Sequence, residues 1–357
     1  SAFEDLTENN TNDEYEYILP DIILDKNLFS SDKYGYADLQ SNLIFHNFET
    51  NKFTKFFIND IDWSYKQFNY SSGLKGRLLG KLKNVNYEAK NTSIYKTDTT
   101  HEVFGAIGYL SEVNLFKKIK DNSKRFLTPK MLIRYAPGHM REETGKTRLN
   151  PSNVFTLDRL NTNKNFESGL SATLGFDYEL EESNKKFDFS IAQIINEKEN
   201  QDMPSSSSLD QRFSDVIGHS QLEMNDNIKL NYNFALDQNY GQLNYNELGA
   251  NLDFNPIKFD LNYLQEKEHL GDQKYFKGKI GFTPNKYGLF SAETKRNLIT
   301  NSAEYYNLSY EYTNDCLRAG LVYRREFYND SELEPEDSLM FKITLIPFGN
   351  INSPSFN

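Results

Sequence analysis

A chain of 357 residues has room for one large β domain or two ordinary ones, and a net charge of −11 with no dominant basic patch argues against nucleic acid as a partner. Mean hydropathy is −0.71, and no apolar run approaches the roughly 18 residues a helix needs to cross a bilayer. Membrane strands stay open, because they turn every second side chain to a lumen and their hydropathy signal is weak. The 23 Tyr and 27 Phe against one Trp fit strand propensity and, more sharply, aromatic girdles at two membrane interfaces.

Residues 1–13 are polar and expected to be disordered. Ser1-Ala2-Phe3 has neither the charged start nor the apolar stretch of a signal peptide, so an exported protein would have lost its front. From Glu14 one grammar repeats: an alternating run of about ten residues, then a polar break. Eighteen runs are read, over 15–24, 34–46, 53–66, 72–82, 84–94, 102–113, 127–136, 168–180, 186–195, 210–223, 228–237, 243–254, 257–266, 274–283, 286–296, 303–313, 317–328 and 338–348. Ile228, Leu230, Tyr232, Phe234 and Leu236 against Lys229, Asn231 and Asn233 is a clear case; period two sends these sets to opposite faces. Helical periodicity is absent, although 111–120 could pass for a short helix. Runs of about ten exceed the usual strand of about five or six and match the nine to eleven of a tilted membrane strand.

The breaks alternate short and long. Asn255-Pro256, Pro284-Asn285, Asn314-Asp315, Asn225-Asp226-Asn227 and Lys83 read as tight turns; 267–273, 297–302, 329–337, 196–209 and 137–167 are longer. Short turns at one end and long loops at the other predict an all-β, antiparallel up-and-down transmembrane β-barrel. The long basic segment 114–126 falls on the turn side and breaks the pattern. A soluble β-sandwich or β-solenoid also alternates, but sandwiches have shorter strands and no two-sided loop bias, and no fixed repeat length appears.

The loop 137–167 is charged, with an apolar centre at Val154-Phe155-Thr156-Leu157 that favours order inside the lumen. On charge alone, its Asp158-Arg159 reads as an ordinary surface ion pair. Residues 197–208 are low-complexity and read as a mobile external loop. Enzyme chemistry is missing. Gly76 to Lys81 has three residues where a phosphate loop needs four between its glycines, and Leu82 stands where Ser or Thr belongs. His46, His101, His139, His219 and His269 are scattered without ligand spacing, and Gly218-His219-Ser220 is no nucleophile elbow. No catalytic residue, metal ligand or cofactor is expected. The lone Cys316 is either a free thiol or half of a bridge to something outside the chain.

The closing stretch, CLRAGLVYRREFYNDSELEPEDSLMFKITLIPFG, orders a cysteine, a long strand, an acidic loop and a last strand. In this it resembles the C-terminus of the LptD family of outer-membrane lipopolysaccharide-assembly barrels (the organic solvent tolerance family), in wording its alphaproteobacterial branch. Leu127 to Pro137, Val154 to Arg159 followed by Gly169 to Gly175, and Phe187 to Gln193 resemble further landmarks of that family, with Asp158 and Arg159 as its loop landmark. The resemblance spans Tyr15 to Phe348.

It implies that residues 14–348 are the C-terminal part of a larger barrel, followed by a short periplasmic tail over 349–357. A jelly-roll domain and the first strands would lie outside this chain. It implies an LptE-like lipoprotein plug, an LptA-like periplasmic bridge, and lipopolysaccharide leaving sideways into outer-membrane lipid. The last strand would form one wall of the lateral seam, through Leu339, Phe341, Lys342, Ile343, Thr344, Leu345 and Pro347, the proline lacking an N–H for the ladder. Cys316 would bridge to the missing N-terminal portion; the family usually has an adjacent cysteine pair here, so at most one such bridge is open. No bond is made or broken, so the chain is not expected to be an enzyme. A passive porin or solute channel, and a soluble β-sandwich binding module, are the alternatives.

Overall fold

The computed structural model describes residues 2–3, 16–49, 52–119, 123–327, 337–345 and 349–352. Twenty-one strands occur among them. The first nine are β1 (Ala2–Phe3), β2 (Glu16–Ser31), β3 (Gly35–Glu49), β4 (Lys52–Ser64), β5 (Phe68–Asn69), β6 (Leu74–Lys90), β7 (Thr100–Val113), β8 (Leu115–Ile119) and β9 (Ser123–Ala136). Then come β10 (Gly169–Glu182), β11 (Lys185–Asn196), β12 (Val216–Met224), β13 (Ile228–Leu236), β14 (Leu243–Phe254), β15 (Ile257–Glu266) and β16 (Gln273–Asn285). The last are β17 (Gly288–Asn297), β18 (Ser302–Thr313), β19 (Leu317–Glu326), β20 (Asp337–Leu345) and β21 (Gly349–Asn352). No α-helix is present among the described residues, and a 3-10 turn covers Ser205–Ser207.

Each long strand pairs antiparallel with the next in sequence, all in one sheet. This single up-and-down sheet wraps around loops of its own chain, so the β-barrel expectation holds and a sandwich, which needs two packed sheets, does not. Among the described residues no ladder joins β1 or β2 to β20 or β21.

The alternation sorts the faces as expected. On the outside, cross-strand rows run Phe282–Phe290–Tyr310–Leu321–Phe341 and Ile280–Ala292–Leu308–Tyr323–Leu339. Leu308 is 56% exposed and Phe290 50%, and the Phe290 and Tyr310 rings lie 4.5 Å apart. On the inside, residues one step along make polar pairs: His219 Nδ1 lies 2.7 Å from Asn233 Oδ1, and Asn233, Asn262 and Tyr245 all donate to the Glu247 carboxylate. An apolar outside and a polar inside invert a soluble protein and suit a wall between hydrocarbon and water.

Four expectations need correction. Runs 72–82 and 84–94 are one strand, β6, and Lys83 is not a turn but a fully buried residue in its middle. The inward parity Lys83, Val85, Tyr87, Ala89 is continuous, so nothing breaks the ladder there. Every break before Lys83 therefore changes ends: the 32–34 turn joins the short-turn end and 91–99 stays with the loops. At 32–35 the chain turns through Gly35 at φ +79°, where an added Cβ would lie 2.0 Å from Ser64 O.

The stretch 111–120 holds no helix among its described residues, in keeping with the absent helical periodicity: β7 ends at Val113 and β8 covers Leu115–Ile119. β8 pairs with β9 from Leu115↔Leu127 to Ile119↔Ser123 in the register set by β7, so the long basic break is mostly a continuation of the β7–β9 ladder. The run read as 210–223 begins only at Val216, because the residues before it belong to an inward-folded loop. That loop is packed and does not hang outside: Met203, Ser207 and Leu209 are buried. At the chain ends, Ala2–Phe3 pairs with β2 and Gly349–Asn352 with Lys342–Leu345 of β20.

Candidate functional site

The lumen at the loop end is filled by the segment 137–168, which leaves β9, crosses the interior and returns to β10. Its apolar centre does what that composition suggests. Leu157 and Phe166 pack with Phe56, Ile58, Val85, Tyr87, Phe104 and Leu132 from the inward faces of β4, β6, β7 and β9. Met140, Leu149 and Val154 pack with Ile194, Met203, Leu209 and Tyr245. Gly108 on β7 makes room for Leu157: a Cβ there would sit 2.6 Å from Leu157 Cδ2.

Charges fix the segment to the wall. Lys83 Nζ donates to Asp158 Oδ2 at 2.6 Å and to Asn165 O at 3.1 Å, with Asp60 Oδ2 at 3.7 Å. Arg159 Nε donates to Glu167 Oε2 at 2.7 Å, its Nη2 bonds Glu167 Oε1, and Nη2 reaches Ser171 Oγ at 3.1 Å. Arg134 Nε donates to Leu157 O at 2.7 Å, and its Nη2 bonds Glu167 O. The Phe166 ring lies between Lys83 and Arg134, 5.6 and 5.5 Å from its centroid. Lys83, Arg134 and Arg159 thus face Asp60, Asp158 and Glu167, and Lys81, 3.8 Å from Asp60, pairs with Asp62, which leaves the set neutral where unpaired charge would be very costly. Glu167 resists burial of its charge, but Arg159 and Arg134 outweigh that and hold its carboxyl below the usual range.

Asp158 and Arg159 are therefore not a surface ion pair with each other. Adjacent in sequence, they part to different partners, and Arg159 is 1% exposed. Sequence reading missed Lys83, whose signal was its inward parity within one unbroken alternation. It also missed Glu167 and Arg134, which carry no motif.

A second attachment lies across the lumen. Arg148 bonds Glu266 at the end of β15, and its guanidinium carbon is 3.9 Å from the Tyr245 ring centroid. His269 Nε2 lies 2.9 Å from Asp215 Oδ2, and its Nδ1 3.2 Å from Glu266 Oε1. Burial opposes charge on this ring, but hydrogen bonds to Asp215 and Glu266 outweigh it and raise His269 from 6.5 to about 9. With the folded value above the unfolded one, the stabilisation is complete below about pH 6.5 and is lost as pH rises through about 9. Amides of 267–272 should accordingly exchange faster between pH 7 and 10 than intrinsic chemistry requires. His269→Gln should abolish that excess; an unchanged excess would refute the assignment.

The other sequence-predicted residues lie elsewhere. Cys316 is an exposed free thiol in the β18–β19 turn, at the end opposite the filled lumen. Asn314 Oδ1 shapes that turn by accepting from the backbone N–H groups of Cys316 and Leu317, at 2.9 and 2.7 Å. On β20, Leu339 and Phe341 point outward and are 65% and 48% exposed, while Lys342 and Thr344 share the opposite face. Ile343 and Leu345 continue the outward row, and Pro347 lies outside the described residues. The structure does not bring β20, Cys316 and the Asp158–Arg159 segment together. Gly76 and Gly80 lie within β6, as a strand reading requires.

A family model described as LptD, LPS transport system D, matches residues 2–310. The match covers the filled lumen and ends before Cys316 and β20. No curated protein matches the chain.

Proposed function

The chain belongs to the LptD family, outer-membrane β-barrels of lipopolysaccharide transport, and on that premise we propose that it moves lipopolysaccharide into the outer leaflet through a lateral seam beside β20. Its own place would be the C-terminal part of a larger barrel, residues 14–348. The observation that supports the seam is the last long strand: apolar Leu339 and Phe341 face outward, and polar Lys342 and Thr344 face inward. Acyl chains suit the first face; sugars and phosphates suit the second. Because β21 covers the edge at Lys342–Leu345, the free edge of the seam would run along Asp337–Phe341, with Lys342 and Thr344 on the lumenal face of the wall directly beside it. Ile343, Leu345 and Pro347 would continue that wall toward the turn end.

An LptE-like lipoprotein would occupy lumen left open by the 137–168 segment, toward the turn end. The turns would face the periplasm, where an LptA-like bridge delivers cargo. Exposed Cys316 is at that end and would pair with a cysteine outside this chain. The chain transports and makes no bonds, so no cofactor is invoked. A charged loop folded into a lumen also suits a passive solute channel, which is the second reading.

Photo-crosslinking in cells separates the two. A crosslinker replacing Lys342 or Thr344 in the full-length protein should capture lipopolysaccharide, and the adduct should vanish when the periplasmic bridge is depleted. Absence of adduct at both positions, in folded outer-membrane protein, would favour the passive channel.

A further inference from the structure

Beyond its apolar packing and an Arg141–Glu102 pair, the 137–168 segment is held by two charged clusters of different construction. The first is built largely on strands: Lys83 on β6, Asp60 on β4 and Arg134 on β9 meet Asp158, Arg159 and Glu167 beside the point where the segment rejoins β10. The Arg159 side chain is fully buried there, so separating it from Glu167 would strand a bare charge in a dry site. The second lies at the middle of the segment, against the opposite wall. It consists of Arg148, Asp215 and His269 from three separate loops, with Glu266 at the very end of β15. Asn244 donates to Asp215 at 3.0 Å, and Lys146 Nζ donates to Leu270 O at 2.9 Å.

Two properties make the second attachment the one that yields. Its Arg148 side chain is 23% exposed, so water can reach the guanidinium as the pair separates, and Glu266, 2% exposed, keeps His269 as a partner. Its members sit on loops, which move with little loss of ladder hydrogen bonding. In the first attachment the wall partners Lys83, Asp60 and Arg134 all sit on strands, Arg134, Arg159 and Glu167 are at most 4% exposed, and the chain is tied there to β9 and β10.

We infer that Arg148, Glu266, His269 and Asp215 form a releasable clasp, and that the lumen opens by parting at this clasp while the Lys83–Asp158 and Arg159–Glu167 pairs act as the hinge. Opening at this side would uncover the inward faces of β15 to β20, already lined by pairs such as Lys277–Glu293 and Lys295–Glu304. The inference holds for any polar solute in the lumen and does not depend on the cargo.

The test is conductance of the purified full-length protein in planar bilayers, in a Cys316→Ser background. Lys146→Cys and Leu270→Cys, bridged by a bis-maleimide containing a reducible disulfide, would fix the clasp shut. Reduction in place should raise mean conductance several-fold in the same molecules, which removes misfolding as an explanation. Arg148→Ala without a bridge should show the raised conductance from the start. Equal conductance before and after reduction would overturn the clasp, and so would an Arg148→Ala channel that stays as closed as the unmodified protein. Because conductance reads opening directly, failure of the lipopolysaccharide assignment would leave this result intact.

Discussion

Replacing Glu167 with glutamine should release the 137–168 segment from the lumen wall while leaving the barrel folded. The carboxylate accepts from Arg159 through Nε and Nη2, and Arg134 Nη1 stands 4.0 Å away, all within a cluster that excludes water. Removing one partner of such a set strands the others as buried like charges, at a cost of about 3–5 kcal/mol. That loss falls on the docking of one segment, so its amides should lose exchange protection by about two to four orders of magnitude, since every 1.4 kcal/mol is tenfold. Protection in β16–β19 should stay unchanged. Glu181→Gln is the control: its pair with Lys124 spans 3.8 Å with both side chains about half exposed, and exposed pairs contribute about 0–1 kcal/mol. Equal effects from the two substitutions would show that the Glu167 cluster is not what docks the loop.

The second large effect should separate two neighbours on β18. Leu308 faces outward in the apolar row and Asn307 faces the lumen. In lipid vesicles Leu308→Arg should destabilise the barrel by about 2–4 kcal/mol if the residue lies near the bilayer midplane. Asn307→Arg should cost less than about 1 kcal/mol, since its side chain stays in a polar lumen beside Glu293 and Arg324. Urea titration of tryptophan emission or of heat-modifiable mobility would read both. In a sheet surrounded by water the order would collapse, because a surface substitution there usually stays within about 0.5 kcal/mol.

The legible part of this protein is what depends on neighbours one and two residues away. Nearly all of the seventeen long strands and, from β6 onward, the short-turn and long-loop ends follow from alternation, because a strand's side-chain period is fixed by its own backbone. The Phe290 and Leu308 face could be assigned outward before any partner strand was known. Lys83 shows where local reading fails: a lysine between two apolar runs looks like a break unless its inward parity is followed through Val85 and Tyr87. The low-complexity 197–208 stretch fails for the opposite reason, since its packing rests on Met203 and on Leu209 just beyond it.

The site was decided at longer range. Asp158 finds Lys83 at a separation of 75 residues, and Arg148 finds Glu266 at 118. Nothing near Asp158 or Arg159 says that they will turn from each other to different walls. That choice exists only once the sheet has curled, bringing β6, β9 and β15 around one interior, where each buried charge must take the partner that curvature presents. The strands and their two faces come from a local backbone period; which charges meet comes from the curled sheet, through the cost of leaving any of them unpaired away from water.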